Sequence, residues 1–281
     1  MKTRLSLKTD GVTMVNYPET TKTDVAEAAE SWKGFLQLPQ DVKDTFTAVD
    51  LQSGVGYERK GNGERESRDI KENFDITKSN LAELSLKASE IPEAESFIEA
   101  TRTLFESIEQ MAIQFGKHVE STYDVHGFAD ETQTSADAAF VRFLYYPPVP
   151  LGVVIGEPHV DHSGFTFHLY ESTDGCDRLS FDKETWLPMP VEEGKAAVFG
   201  SMQTQLLSGG EIKGLCHKIT ANKTTTHMGR IAIVCFIPLI NTPVYDRKTH
   251  GRLQEMTPGF NYTMNQEMFT QLFKTSQSAD L

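Results

Sequence analysis

Three side chains in the second half of the chain have the types and spacing for metal chemistry. The run Glu157-Pro158-His159-Val160-Asp161 sets an imidazole and a carboxylate two residues apart, and in an extended strand positions two apart point to the same face. A second imidazole, His217 in Leu215-Cys216-His217-Lys218-Ile219, comes from a later segment. Two imidazoles and one carboxylate on one ion leave three adjacent octahedral positions open, an arrangement suited to Fe(II) and oxygen chemistry. Arg230 opens the apolar run IAIVCFIPL and supplies a guanidinium whose rigid fork fits a carboxylate and keeps its charge on burial. A second reading stays open, in which His162 and His168 join His159 and Asp161 in a hydrolytic zinc site. Otherwise His162, directly after Asp161, is a pocket or substrate contact. His168 is a polar strand residue sharing a face with Thr166 and Tyr170, and His227 is a loop residue.

Strands must hold these groups. Beyond about Ala138 the hydrophobic period changes from 3.6 to 2, as Phe165, Phe167 and Leu169 alternate with Thr166, His168 and Tyr170. Candidate strands are Ala139 to Tyr146, Phe165 to Glu171, Arg178 to Phe181, Trp186 to Met189, Ala196 to Phe199, Leu215 to Ile219 and Ile231 to Pro238. Ahead of them, Val25 to Leu36 and Glu93 to Val119 carry the apolar stripe of amphipathic helices, the second with Pro92 at a first-turn position. Between the helices lies a polar, glycine-bearing stretch, Ser53 to Asn73. Its part from Tyr57 to Arg68 reads as a solvated loop; folded over the mouth of a barrel, it would make Tyr57, Arg59 and Phe74 substrate contacts. The pattern predicts a mainly β barrel or sandwich with helices packed outside it.

Composition narrows the function. The 281 residues carry 27 Lys+Arg against 40 Asp+Glu, a formal net charge of −13, which disfavours nucleic acid and anionic membrane surfaces as partners. Hydrophobic residues at 38% are enough for a sizeable core. Three cysteines, Cys176, Cys216 and Cys235, lack CxxC spacing, so neither a disulfide framework nor a structural zinc cluster is expected. Cys216, of opposite strand parity to His217, is read as a packing thiol. No apolar run is long enough for an export signal or a membrane span, and the expected location is cytoplasmic. The glycines fit no nucleotide-binding frame, and Gly200-Ser201-Met202-Gln203 is no nucleophile elbow.

Taken in order, the motifs resemble a known family. The run Arg142-Phe-Leu-Tyr-Tyr146-Pro-Pro, then His159-Val-Asp161-His-Ser-Gly-Phe-Thr166, Trp186-Leu-Pro-Met-Pro, Gly200-Ser-Met-Gln-Thr-Gln-Leu-Leu-Ser208, His217 and Gly229-Arg230 resembles the isopenicillin N synthase-like Fe(II)/2-oxoglutarate-dependent dioxygenases. Gly11 to Asn16, Phe35 to Lys43, Gly54 to Tyr57 and Lys71 to Phe74 are similar to its upstream blocks. The resemblance implies a distorted double-stranded β-helix of the jelly-roll or cupin-like kind with an N-terminal helical layer. It implies one oxygenase domain over 1–281: a helix-rich part at 1–137, the double-stranded β-helix core at 138–240 and a C-terminal helical segment at 241–281.

By the same resemblance His159, Asp161 and His217 are the iron ligands, Arg230 binds the distal carboxylate of 2-oxoglutarate and Tyr146 hydrogen-bonds it. The cofactors implied are Fe(II), 2-oxoglutarate and O2, with ascorbate as a stimulant. The reaction implied is oxidation of a C–H bond in a small organic molecule, by hydroxylation or by oxidative cyclisation or desaturation, in specialised metabolism and by a monomer. An iron oxidase independent of 2-oxoglutarate and a non-catalytic binding barrel are the alternatives. Three departures stand out: Ala232 replaces the serine of the usual Arg-x-Ser, Leu144 stands where asparagine is common, and the longer spacing from His217 to Arg230 predicts an extended hairpin around Asn222 to His227.

Overall fold

Alternating apolar residues become strands where both faces of a sheet have something to pack against, and here both faces do. The computed structural model describes residues 5–47, 55–60, 70–181 and 185–242. Its larger sheet has seven strands in the order β1 (Val12–Asn16), β9 (Lys195–Gly200), β6 (Phe165–Glu171), β11 (Arg230–Ile237), β4 (Phe140–Tyr146), β3 (Lys71–Thr77) and β2 (Gly56–Lys60). The smaller has the order β5 (Val154–His159), β10 (His217–Thr220), β7 (Cys176–Leu179) and β8 (Trp186–Pro188). Pairing within both sheets is antiparallel.

Side-chain parity sorts the core into two layers. Val141, Phe143, Phe165, Phe167, Ile231 and Ile233 leave one face of the larger sheet toward the helices α1 (Glu19–Leu36) and α4 (Pro92–Tyr123). Leu144, Tyr146, Ala232, Val234 and Phe236 leave the other face and meet Ile155, Cys176 and Ile219 of the smaller sheet. The architecture is therefore the expected one, antiparallel sheets face to face with helices flanking one of them. Short helices α2 (Gln40–Asp44), α3 (Leu81–Ala88), α5 (Phe128–Ser135), α6 (Met202–Leu207) and α7 (Thr225–Met228) fill the connections. At Gly116 of α4 an added Cβ would lie 1.9 Å from Thr132 Oγ1, so α4 and α5 touch at a point where only glycine fits. Among the described residues no helix is long and apolar enough to cross a membrane.

The expected strands lie where their pattern put them, with ends displaced by a few residues; the first long helix starts earlier than its apolar stripe, at Glu19, and the second ends later, at Tyr123. Two features of the polar regions differ. Gly56–Lys60 is a paired strand, not part of a solvated loop, because Tyr57 turns into the aromatic core; the rest of that loop, 61–69, lies outside the described residues. The segment from Asn222 to His227 is no hairpin: it joins strands of different sheets through α7. Asn222 Oδ1 accepts the Thr225 N–H at 2.9 Å and starts the turn. The expected C-terminal helical segment, 241–281, falls almost wholly outside the described residues.

One irregularity positions the site. In β6 opposite β11, Val234 pairs with His168 but Ile233 pairs with Tyr170, so Leu169 is a surplus residue in a β-bulge. Leu169 and Tyr170 both turn toward the helical side, and Glu171, opposite Ala232, turns inward with His168. The Tyr17 hydroxyl donates to the Leu169 carbonyl at the bulge.

The helix-to-sheet contact rests on a cluster of aromatic rings. Phe97 of α4 is fully buried, with its ring centroid 4.7 Å from Phe143 and 5.2 to 5.3 Å from Trp32, Phe35 and Phe74. Replacing Phe97 with Ala is expected to cost about 3–5 kcal/mol through lost contacts and the cavity left behind. Urea unfolding measures it, and a loss under about 1 kcal/mol would mean that the layer does not depend on this ring.

Candidate metal centre

The smaller sheet brings the two histidines together. Antiparallel pairing of β10 with β5 sets His217 directly opposite His159, with ring centroids 4.3 Å apart. Each ring points its Nδ1 at a main-chain carbonyl: His159 at Glu157 O (2.7 Å) and His217 at Leu215 O (3.2 Å). A carbonyl only accepts, so each Nδ1 carries the proton and each Nε2 keeps its lone pair for a ligand. Strand β5 carries Gly156 and Pro158 and shows no alternation, which is why it does not stand out in the sequence. It is an edge strand, where a proline is tolerated.

Asp161 reaches the same place by a route other than the expected one. The strand ends at His159, and Asp161 lies beyond it in the connection to β6 rather than two places along the same strand. The backbone bends there because the N-terminal end of α6 holds it: Met202 N–H donates to Asp161 O (2.9 Å), Gln203 N–H to Ser163 O (3.1 Å) and Ser201 N–H to Gly164 O (2.8 Å). The Asp161 side chain accepts a bond from the Thr166 hydroxyl at 2.5 Å, and its other oxygen lies 3.4 Å from His159 Nε2. One ligand atom from each of His159, Asp161 and His217 lies within 4.8 Å of the others, so one ion can bridge all three.

Charge is arranged for a cation. Burial opposes the Asp161 carboxylate, but His217, His159 and the Thr166 hydroxyl outweigh it and hold the group well below the usual carboxylate range. Burial, with His159 alongside, pushes His217 down to about 4, which keeps it neutral near pH 7. Partial desolvation lowers His159, whose side chain is still 46% exposed, yet the adjoining Asp161 carboxylate more than offsets it and raises the pKa above the ordinary 6.5. Two imidazole nitrogen donors around an anionic oxygen fit Fe(II). Cys216, next to His217, is fully buried with its thiol pushed up to about 12 by that burial, consistent with packing.

Arg230 lies on the inward face of the larger sheet, fully buried and opposite Tyr146, whose ring centroid is 5.7 Å from its Cζ. Gly229 makes this placement possible: at φ +73° it turns the chain from α7 into β11, and an added Cβ would lie 2.5 Å from Tyr146 O. The guanidinium already has a partner. Its Nη2 donates to Glu171, its Nε donates to Thr173 O at 3.3 Å, and Nη1 has no partner among the described residues. His168 Nε2 lies 3.2 Å from the same Glu171 oxygen. His168 is thus buried against an acid and does not share its face with Tyr170, because the bulge reverses the parity after Leu169. Neither His162 nor His168 belongs to the group of ligand atoms around Asp161.

The other expected contacts are scattered. Tyr57 and Phe74 are buried in the aromatic layer beneath α1, against Phe35, on the face of the sheet away from the metal cluster. Arg59 donates to Gln40 Oε1 at 3.3 Å on the outside of β2, and His162 is exposed beside Asp161. Sequence reading missed Thr166, Glu171 and the pair Arg142–Asp75, in which Arg142 donates twice, at 2.8 and 2.6 Å. Arg142 sits over the stacked rings of Phe140 and Phe236, in the same layer as Val234. A charged group or hydroxyl at an inward strand position is the signal that would have found them, and for Glu171 that needs the bulge to be known.

Two outcomes are expected. Because an ion must displace the proton of His159, Zn(II) affinity should fall about tenfold per pH unit below that group's raised pKa and level off above it. Calorimetry between about pH 5 and pH 8 reads the slope, and a flat profile removes His159 from the ligand set. Replacing Thr166 with Val, which leaves Asp161 without its hydroxyl donor, should weaken Zn(II) binding about 10- to 100-fold while the fold survives. An unchanged affinity would make that bond irrelevant to the metal.

Residues 138–238 match the sequence profile of the 2OG-Fe(II) oxygenase superfamily. No curated protein matches the chain. Among solved structures, a full-length Neurospora crassa protein in complex with alpha-KG has a TM-score of 0.68 at 16% identity, over 83% of this chain and 76% of its own. The dioxygenase for auxin oxidation 1 of Arabidopsis thaliana, solved with 2-oxoglutarate, scores 0.65 at 15% identity, over 82% and 84%. JOX2, solved with 2OG, Fe and JA, scores 0.64 at 20% identity, over 89% and 72%. These likenesses establish a shared fold, and the profile match spans His159, Asp161, His217 and Arg230.

Proposed function

We propose that His159, Asp161 and His217 hold Fe(II), that Arg230 and Tyr146 receive the distal carboxylate of 2-oxoglutarate, and that the enzyme oxidises a C–H bond of a small organic molecule. The observation that carries the reading is the convergence of one ligand atom from each of two imidazoles and one carboxylate within 4.8 Å. Bound Fe(II) with 2-oxoglutarate and O2 supplies the oxidising power, with succinate and carbon dioxide released as one oxygen atom enters the substrate in a hydroxylation.

The chain's own residues do the positioning. The Glu157 and Leu215 carbonyls fix the two imidazole tautomers. The Thr166 hydroxyl turns one Asp161 oxygen away and leaves the other for the ion. Asp161 also fills a ligand position that a halogenating site would leave for halide, which favours oxygenation. Leu144, Val234, Phe236 and Ala232 form an apolar wall between the two sheets, which would limit water near the reacting bond. Arg142, held by Asp75 above Phe140 and Phe236, adds a fixed cation to that wall.

Hydroxylation is the first reaction expected, with oxidative cyclisation or desaturation next. We place the enzyme in specialised metabolism in the cytoplasm, as a monomer with one oxygenase domain spanning 1–281. Anaerobic protein with Fe(II) and 2-oxoglutarate should develop a weak visible charge-transfer band, and air should then yield succinate. Neither signal with the wild-type chain would sink the reading. Asp161→Ala and His217→Ala should each abolish iron-dependent succinate release, whereas retained release in either would overturn the ligand assignment.

A further inference from the structure

The Arg230 guanidinium that this reading reserves for a ligand carboxylate is shared with a carboxylate of the chain itself. Arg230 and Glu171 have almost no exposed side-chain surface, and they form an ion pair beneath the barrel interior. Two of the three guanidinium nitrogens are spoken for, by Glu171 and by Thr173 O, and Nη1 remains buried without a partner among the described residues. A buried guanidinium nitrogen without an acceptor is costly, so it marks where a ligand acceptor would be accommodated. Tyr146 borders the same guanidinium.

The neighbourhood is built around the acid. The bulge at Leu169 is what turns Glu171 inward, and Ala232, directly opposite, offers a methyl group where a hydroxyl would donate to an incoming carboxylate. His168 Nε2 approaches the same Glu171 oxygen. Burial would raise the Glu171 pKa, but His168 and Arg230 together hold it below its ordinary value, so the group is an anion near pH 7. A second carboxylate brought to Arg230 meets a like charge at close range in a poorly solvated place.

Resting on the preceding cosubstrate assignment, we propose that Glu171 is a specificity-determining residue: an internal carboxylate that occupies one arm of Arg230 and leaves Nη1 as the free arm for a dicarboxylic 2-oxo acid. Glu171 thereby weakens the hold on the distal carboxylate and narrows the preference for 2-oxoglutarate over 2-oxo acids that lack one. The bound acid and Glu171 then share Arg230, and no covalent step is involved.

The test measures binding, without turnover, to Zn(II)-loaded protein by calorimetry. Glu171→Gln keeps the size and an acceptor for Arg230 but removes the charge, and should tighten 2-oxoglutarate binding on the order of tenfold. Binding of 2-oxopentanoate, which has no distal carboxylate, should stay within about twofold, since its contacts do not reach Arg230. If wild-type protein binds 2-oxoglutarate and Glu171→Gln binds it no more tightly, or tightens both acids equally, the inference fails alone. If neither protein binds 2-oxoglutarate while both bind Zn(II), the cosubstrate assignment itself fails and takes this inference with it. Should Glu171→Gln not fold, Glu171→Met removes the charge at similar length and must move 2-oxoglutarate affinity in the same direction.

Discussion

Everything in the site depends on setting a buried imidazole, His217, and a half-exposed one, His159, beside one carboxylate without losing any of the three as a donor. In water the arrangement is unremarkable, but inside a protein each group resists its charged form. Asp161 stays ionised because His159, His217 and Thr166 surround it, and the histidines keep their Nε2 lone pairs because carbonyls two residues back accept hydrogen bonds from their Nδ1–H groups. The smaller sheet supplies the register that sets the two rings side by side at 4.3 Å, and the larger sheet supplies Thr166. Each sheet alone would present an incomplete set, so the packing of the two sheets is itself a condition of the chemistry.

The helical layer enters this logic indirectly. Trp32, Phe97 and Phe143 fix the larger sheet from outside, and Trp32 Nε1 donates to Leu144 O at 3.3 Å, tying α1 to the strand that carries Tyr146. Short α6 has a comparable part on the other side. Through Met202, Gln203 and Ser201 it holds the connection 161–164, and Gln203 Nε2 reaches Leu239 O at 3.0 Å beyond β11. The acid ligand is thus held between a strand of the smaller sheet, a strand of the larger sheet and a helix, although it belongs to none of them.

Much of this was legible in the residues. The change of period near Ala138 located the sheet half, and the order of motifs picked out His159, Asp161, His217 and Arg230, which the fold gathers in one interior. What stayed hidden has a common cause. Gly156 and Pro158 conceal an edge strand, Asp161 arrives through a bend fixed by distant backbone bonds, and Tyr57 and Phe74 are aromatic residues whose burial among Phe35, Phe46 and Phe97 no local pattern reveals. Glu171 is the sharpest case. Strict alternation from Phe165 puts it outside, and only the surplus residue at Leu169 puts it in.

That surplus residue makes the identity of the group facing Arg230 a matter of threading. The same seven residues of β6 laid down without a bulge would offer the guanidinium a phenol, from Tyr170, where the folded chain offers a carboxylate. The bond that stabilises the second threading lies outside the barrel, from the Tyr17 hydroxyl to the carbonyl that the bulge frees. A residue just past the first strand thereby supports the register that gives the interior a balanced ion pair in place of an uncompensated cation, without touching either charge.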